Sequence, residues 1–357
     1  MKYEVIRFDR EQKYIRQFLD LPSQLYNEKN LVQNYREERS LLQENHVLSR
    51  YISLHKYLVI DRVSQKAAAR ALLTESLNDN KCYVGYFECA EDQDAADLLL
   101  NALKDKAAEL GYQCLTGPVN ASFWIGYRFK TDCFDSLYTG EPYNLSYYPD
   151  LFEKAGFKIC DRYKSNRFRV IETEFSNDFY RSRLAEKEKE GYRIISPDKR
   201  EFTGAMREIY RLIVRLYADF PVFQMIDEEA FCENYGYLKY IIDYRMIKLA
   251  YYGEEMVGFF ISIPNYGNCL YGKIGPRKMF RALKIKCRPD DYVMLYMGVT
   301  PQHRGIGKAL AEAVMRELQN NKAKSVGALI HEGKINGDYF SELVEQEYHY
   351  ALYSCSL

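Results

Sequence analysis

Proline is scarce, at 10 residues in 357, and tryptophan occurs once. That scarcity excludes collagen-like and proline-rich linker architectures. Charge of one sign is also missing: Lys+Arg and Asp+Glu balance at 50 each, so no global field draws the chain to nucleic acid or to a membrane. The longest apolar runs, 256–263 and 292–299, have the length of a strand, far below the roughly 20 residues of a spanning helix. Residues 1–20 carry charges of both signs and no apolar stretch, which is not the pattern of a signal peptide. The nine cysteines include no C-x-x-C pair and stand apart from the five histidines. Reduced thiols in a cytoplasm are therefore expected, with neither a disulfide framework nor a metal. What is present is 47% hydrophobic and 28% charged residues, with 33 tyrosines. A chain of this length and mix supports two cores of roughly 150–200 residues each.

The best joint is 170–205. A charged, helix-prone stretch from Arg181 to Glu190 closes at Gly191, and a strand-like run, Tyr192–Ile195, ends at Pro197. The halves share a pattern. In the second, a strand over Tyr292–Val299 precedes a turn and a helix striped by Ile306, Ala309, Leu310, Ala313, Val314 and Leu318. A strand over Ser325–Ile330 and a helix-plus-strand tail, Asp338–Tyr353, follow. The first half has a strand over Cys82–Cys89, a helix over about 94–110 stopped by Gly111, a strand at Gln113–Leu115, and the tail Tyr147–Tyr163. The same order twice suggests a diverged internal duplication.

Gln302-x-x-Gly305-x-Gly307 lies between the predicted strand and helix of the second half. Consecutive backbone N–H groups at a helix N-terminus form an anion nest, and glycine lets the backbone approach the anion. Arg304 and Lys308 add positive charge, and no acid occurs between Asp291 and Glu312. A pyrophosphate is the expected ligand. Neither the dinucleotide G-x-G-x-x-G nor the P-loop pattern is present.

MGVTPQHRGIGKAL resembles motif A of the GNAT superfamily of acyl-CoA-dependent N-acyltransferases, [QR]-x-x-G-x-[GA] between a strand and a helix, over about Tyr292–Tyr353. The whole chain is similar to bacterial tandem-GNAT proteins whose first copy has lost its pyrophosphate loop. Gly117-Pro118-Val119-Asn120, the run Tyr148…Gly156-Phe157…Asp161, and the turn Gly272–Pro276 carry that similarity. The resemblance implies an α/β (α+β) fold of two tandem GNAT-like domains, 1–172 and 173–357, each a mixed central sheet flanked by helices. It implies acetyl-CoA or another acyl-CoA as co-substrate, and transfer to a small-molecule or peptide amine in a ternary complex. The pyrophosphate would lie on the N–H groups of Gln302, His303, Arg304, Gly305, Ile306, Gly307 and Lys308. Gly298 and Val299 would pair with the pantetheine arm, and Asn336 would face it. Where many relatives carry a thiolate-protonating Tyr this chain has Leu343, so Tyr339, one helical turn earlier, is the candidate acid. Glu332 is the candidate base, with His331 beside it.

The first half reads Glu88-Cys89-Ala90-Glu91-Asp92-Gln93-Asp94 where phosphate would sit, with no glycine between Gly85 and Gly111. Carboxylates there would repel the anion and serve instead as helix caps. This degenerate copy would build one wall of an acceptor site between the domains, and Trp124 is a core residue or one that stacks on the substrate. Residues 273–288 hold seven Lys/Arg and no acid, which reads as a solvated helix face or as a dock for an acidic carrier protein. Nucleic acid and membrane are not expected as partners. The alternatives to an acyl-CoA transferase are a carrier-protein or aminoacyl-tRNA donor, or a non-catalytic acyl-CoA sensor.

Overall fold

The computed structural model describes residues 2–333 and 339–357. The first half contains β1 (Tyr3–Phe8), α1 (Gln12–Leu25), α2 (Tyr35–Leu42), β2 (Ile52–Asp61), β3 (Ala67–Ser76) and β4 (Lys81–Cys89). It continues with α3 (Gln93–Glu109), β5 (Cys114–Gly117), the short β6 (Phe129–Lys130), α4 (Tyr148–Lys154) and β7 (Lys158–Phe168). The second half contains α5 (Asp178–Lys189), β8 (Tyr192–Ile195), α6 (Phe202–Tyr217), α7 (Glu228–Tyr235), β9 (Ile247–Tyr252) and β10 (Glu255–Pro264). It ends with α8 (Pro276–Cys287), β11 (Asp291–Val299), α9 (Ile306–Asn321), β12 (Lys324–His331) and β13 (Val344–Ser356).

Periodicity explains the layers. β3 and β4 each hold six consecutive buried residues, because helices cover both faces of the sheet. α3 buries Ala95, Ala96, Leu99, Leu100, Leu103 and Ala107, and α9 buries Ile306, Ala309, Leu310, Val314 and Leu318. Both stripes follow the i, i+3, i+4 spacing of a helix lying on a sheet.

The strands form one mixed 13-stranded sheet in the order β1-β2-β3-β4-β5-β13-β7-β12-β11-β10-β9-β8, with β6 paired to β13. Among the described residues only β4–β5 and β11–β12 are parallel. The two longest strands cross between the halves. β13 pairs with β5 and β7, while β7 also pairs with β12. Each half therefore takes the last strand of the other beside its own parallel strand. A buried network secures the exchange: Lys130 Nζ pairs with Glu141 at 2.7 Å, both fully buried, and the Tyr350 hydroxyl donates to Glu141 at 2.6 Å. A buried charge of this kind is tolerable only because it is paired and hydrogen-bonded.

The duplication extends to irregularities. β4 bulges against β3 between the pairs Leu72/Gly85 and Arg70/Glu88. β11 bulges against β10 between Ser262/Met294 and Ile261/Tyr296. In the second half the parallel pair is laddered only over its first residues and then splays. In the first half the chain past β5 stays on β4, Val119 N–H donating to the Val84 carbonyl at 2.8 Å and Tyr86 N–H to Asn120 Oδ1 at 2.7 Å. The tail departs from expectation: residues 341–343 form a single 3₁₀ turn, with Phe340 in a left-handed conformation, before β13. The start of the expected helix at Asp338 lies outside the described residues.

Candidate active site

The loop after β11 is anchored at its base. Thr300 donates its N–H to the Val257 carbonyl at 2.9 Å, and His303 donates to Thr300 at 3.0 Å. Gly305 is the N-cap of α9 at φ +91, a left-handed conformation that glycine adopts without strain. Having no side chain, it caps nothing. The N–H groups of Ile306 and Lys308 bond within the turn. Those of Gln302, Arg304, Gly305 and Gly307 have no acceptor among the described residues. Free amides at a helix N-terminus, with the positive end of the helix dipole behind them, favour negative charge.

Two lysines lie beside that turn, of which Lys187 already pairs its ammonium with Glu190 at 2.6 Å. A Cβ on Gly307 would lie 2.8 Å from Met297 Cε and 3.0 Å from the Tyr339 hydroxyl. Lys187, on α5, lays its Cε 3.1 Å from where a Gly305 Cβ would stand. Lys308 rests its ammonium over the Phe179 ring at 4.3 Å. Lys187 was invisible to sequence reasoning, because α5 meets α9 only through the fold.

Immediately before the loop, Gly298 and Val299 pair with Phe259 and Gly258 on β10. Beyond Met294, β11 has no ladder partner on the β12 side among the described residues, so its main chain offers an open edge there. A side chain at Gly298 would strike Leu216 Cδ1 at 2.7 Å. This splay opens into a cavity of about 1220 Å³ walled by both halves. The first half contributes Trp124, Arg128 and Tyr163 to its lining, and the second contributes Tyr217, Tyr296, Gly298, His331 and Tyr339.

The sequence-derived catalytic candidates separate here. Tyr339 lines the cavity, half-buried, and burial raises its phenol above the ordinary pKa, with Tyr180 adding to the effect. Leu343 is buried in the apolar core and offers no proton. Glu332 departs from expectation: it is exposed in the turn past β12 and does not line the cavity. His331 does line it. Its Nε2 lies 2.6 Å from Asp161 Oδ1, and its Nδ1 lies 2.8 Å from the Glu332 carbonyl oxygen. Both ring nitrogens thus face oxygens, and the ring is positioned by its neighbours rather than presented with a free lone pair. Asn336 lies outside the described residues. His303 accepts no catalytic geometry; its Nδ1 sits 2.9 Å from the Tyr192 hydroxyl.

Trp124 is a joint between the halves. Its indole N–H donates to the Gln224 carbonyl at 2.7 Å, and its ring meets Phe223, Phe231 and Tyr235 edge-on. The first half's counterpart of the anion loop is closed. Asp92 caps α3, its carboxylate accepting from Ala95 N–H at 3.3 Å, Tyr3 hydroxyl at 2.6 Å and Lys2 at 2.9 Å.

No family model and no curated protein matches the sequence. Solved structures match in shape. A tandem GNAT protein from the clavulanic acid biosynthesis pathway superposes with a TM-score of 0.53 at 11% identity, covering 99% of this chain and 98% of that one. A GCN5-related N-acetyltransferase from Sphaerobacter thermophilus gives 0.50 at 11% identity, covering 99% and 96%. The glucosamine N-acetyltransferase region of a fungal multi-domain GH3 β-N-acetylglucosaminidase gives 0.56 at 13% identity, covering 99% of this chain and 38% of that one. The fold of this chain is that of the tandem GNAT proteins.

Proposed function

We propose that the chain is an acyltransferase that moves the acyl group of acetyl-CoA, or another acyl-CoA, to an amine in a ternary complex. The observation that carries this reading is the set of four unpartnered amides at the N-terminus of α9, opening directly from a splayed strand. In this proposal the halves divide at 172/173. The second half holds the donor, and the first closes the acceptor cavity. Gln302 through Lys308 would hold the pyrophosphate, the unpartnered amides doing most of the work and Lys187 adding charge. The open edge at Gly298 and Val299 would pair with the pantetheine arm, and Asn336 would face it.

Rate enhancement would come from holding amine and thioester together and from main-chain donors at the splay. Tyr339, kept protonated by burial, would give its proton to the departing thiolate. Glu332 stands outside the cavity, so the amine would lose its proton to water ordered near His331 and Asp161. The N-acetyltransferases among the neighbours of the same fold support this class of chemistry.

The test is the rise in melting temperature on adding acetyl-CoA, wild type against Gly305→Glu. The glutamate would occupy the anion's space and oppose its charge. Losing two charge-assisted hydrogen bonds, each worth roughly 1.5–3 kcal/mol, would weaken affinity by about a hundredfold or more. A wild type that shows no rise with any acyl-CoA would refute the reading.

One observation favours a carrier-borne donor as a second reading. α8 buries none of its residues, and Phe280, Met279 and Leu283 are 73%, 56% and 55% exposed amid Arg277, Arg281, Lys284 and Arg288. Apolar centre and cationic flanks suit an acidic carrier protein. Reversing Arg281 and Lys284 to Glu would then abolish carrier-dependent transfer and leave acetyl-CoA affinity intact.

A further inference from the structure

Arg128 is 5% exposed, yet no carboxylate among the described residues pairs with it. Its guanidinium sits in the corner of a T-shaped tyrosine pair, 3.8 Å from the Tyr127 centroid and 3.9 Å from that of Tyr163, whose rings stand at 81° to each other. Nε donates to the Tyr127 carbonyl at 3.1 Å and Nη1 to the Leu329 carbonyl at 3.4 Å. Two rings at right angles to each other and two carbonyls therefore fix the planar group from several directions. Nη2 has no partner among the described residues, and Arg128 lines the central cavity. The backbone is held at φ +79, a conformation that a non-glycine residue keeps only when its surroundings enforce it.

A buried charge ordinarily has an opposite charge beside it. The nearby carboxylate, Asp161, is already engaged by His331 at 2.6 Å and by the Tyr163 hydroxyl at 2.6 Å. The two carbonyls and two rings orient the guanidinium but do not neutralise it. Its location matters too. Arg128 comes from the first half and reaches Leu329 on β12 of the second, so it stands beside the splay and apart from the loop at the N-terminus of α9. The site is rigid and cationic, with a free edge of N–H donors. Its complement is a carboxylate.

We propose that Arg128 receives a carboxylate of the substrate, so that the cavity selects an amine or an acyl group that bears an acid. The inference rests on the acyltransfer reading for the reaction but not for binding. It gives the first half a role in choosing the substrate, through a residue that touches it directly.

The test compares L-amino acids with the corresponding amino acid amides as acceptors of acetyl-CoA, followed by release of the CoA thiol. Succinyl-CoA against acetyl-CoA, with amides as acceptors, separates an acid on the acyl group from one on the amine. Whichever partner carries the acid should be favoured roughly 10- to 100-fold in kcat/KM, the worth of one charge-assisted hydrogen bond. Arg128→Met should erase that preference through KM and leave CoA affinity unchanged; Arg128→Lys should retain part of it. Equal turnover with and without the acid in both comparisons would overturn the proposal. Should Arg128→Met not fold, the wild-type preference and Arg128→Lys decide. Should no transfer occur, the melting-temperature rise with amino acids against amides, and with succinate against ethanol, decides. A rise confined to the acids and lost in Arg128→Lys or Arg128→Met upholds the carboxylate site while the transferase reading fails. No acid-dependent rise overturns it.

Discussion

The same turn occurs twice in this chain, and the two copies end differently. At 90–95 a carboxylate stands at the mouth of α3: Asp92 accepts from one amide of the first turn, from the Tyr3 hydroxyl and from Lys2, while the Glu91, Gln93 and Asp94 amides have no acceptor among the described residues. At 300–308 the corresponding place holds Gly305, without a side chain, and four amides have no acceptor among the described residues. The difference is a carboxylate at the helix mouth in one copy and none in the other. The contrast continues along the strands. Counting from the bulges, the Arg70/Glu88 pair of the first half matches Phe260/Met297 of the second. A charged pair lines the cavity in the first half, and an apolar pair lines it in the second.

The largest expected effect tests whether the halves are separable at all. Trp124 belongs to a core cluster that runs from Leu48 and Tyr83 to Phe202, Phe231 and Val293. Trp124→Ala should cost about 3–5 kcal/mol and lower the midpoint of a single urea transition. Two resolved transitions in the wild type would show that the continuous sheet does not couple the halves.

Next in size is a pH effect peculiar to the first half. Burial pushes the Glu88 carboxyl up to about 7 from about 4.5, against the opposing pull of Arg70. The native state then keeps a proton that the unfolded chain has released, so stability is highest below the unfolded value. It falls as pH rises towards 7. A loss on the order of 2 kcal/mol is expected over that window, and Glu37, also raised to about 7 by burial, acts in the same direction. Glu88→Gln should flatten the pH dependence of stability by its share. An unchanged curve would remove Glu88 from the account.

Asp92→Ala removes a cap and should cost about 1 kcal/mol. It should not open a second donor site, because the surrounding 88–94 segment has no glycine and keeps Glu88, Glu91 and Asp94. Smallest is Gly307→Ala, whose methyl would press on Met297 Cε and the Tyr339 hydroxyl. Met297 has a flexible end that can move, so a roughly fivefold loss of acetyl-CoA affinity is expected, about 1 kcal/mol.

What was legible in the sequence was local. α9, its glycine turn and the preceding strand announce themselves through periodicity and residue type within about thirty positions. The crossing of β7 and β13 was not legible, because a strand's pattern shows which face is buried and not which neighbour it pairs with. Arg128 was missed for the same reason: its significance comes from Tyr163 and Leu329, far along the chain, and nothing in its own neighbourhood marks it. Glu332 was expected in the cleft from its nearness to the strand end. One more residue past β12 was enough to turn it to solvent.

The central claim is that one copy of the turn binds the donor's pyrophosphate and the other cannot. Calorimetric titration of the purified chain with acetyl-CoA tests it most directly. One site per chain, lost in Gly305→Glu and unaffected by Asp92→Ala, is the predicted result; two equivalent sites per chain, or a single site that survives Gly305→Glu, would contradict it.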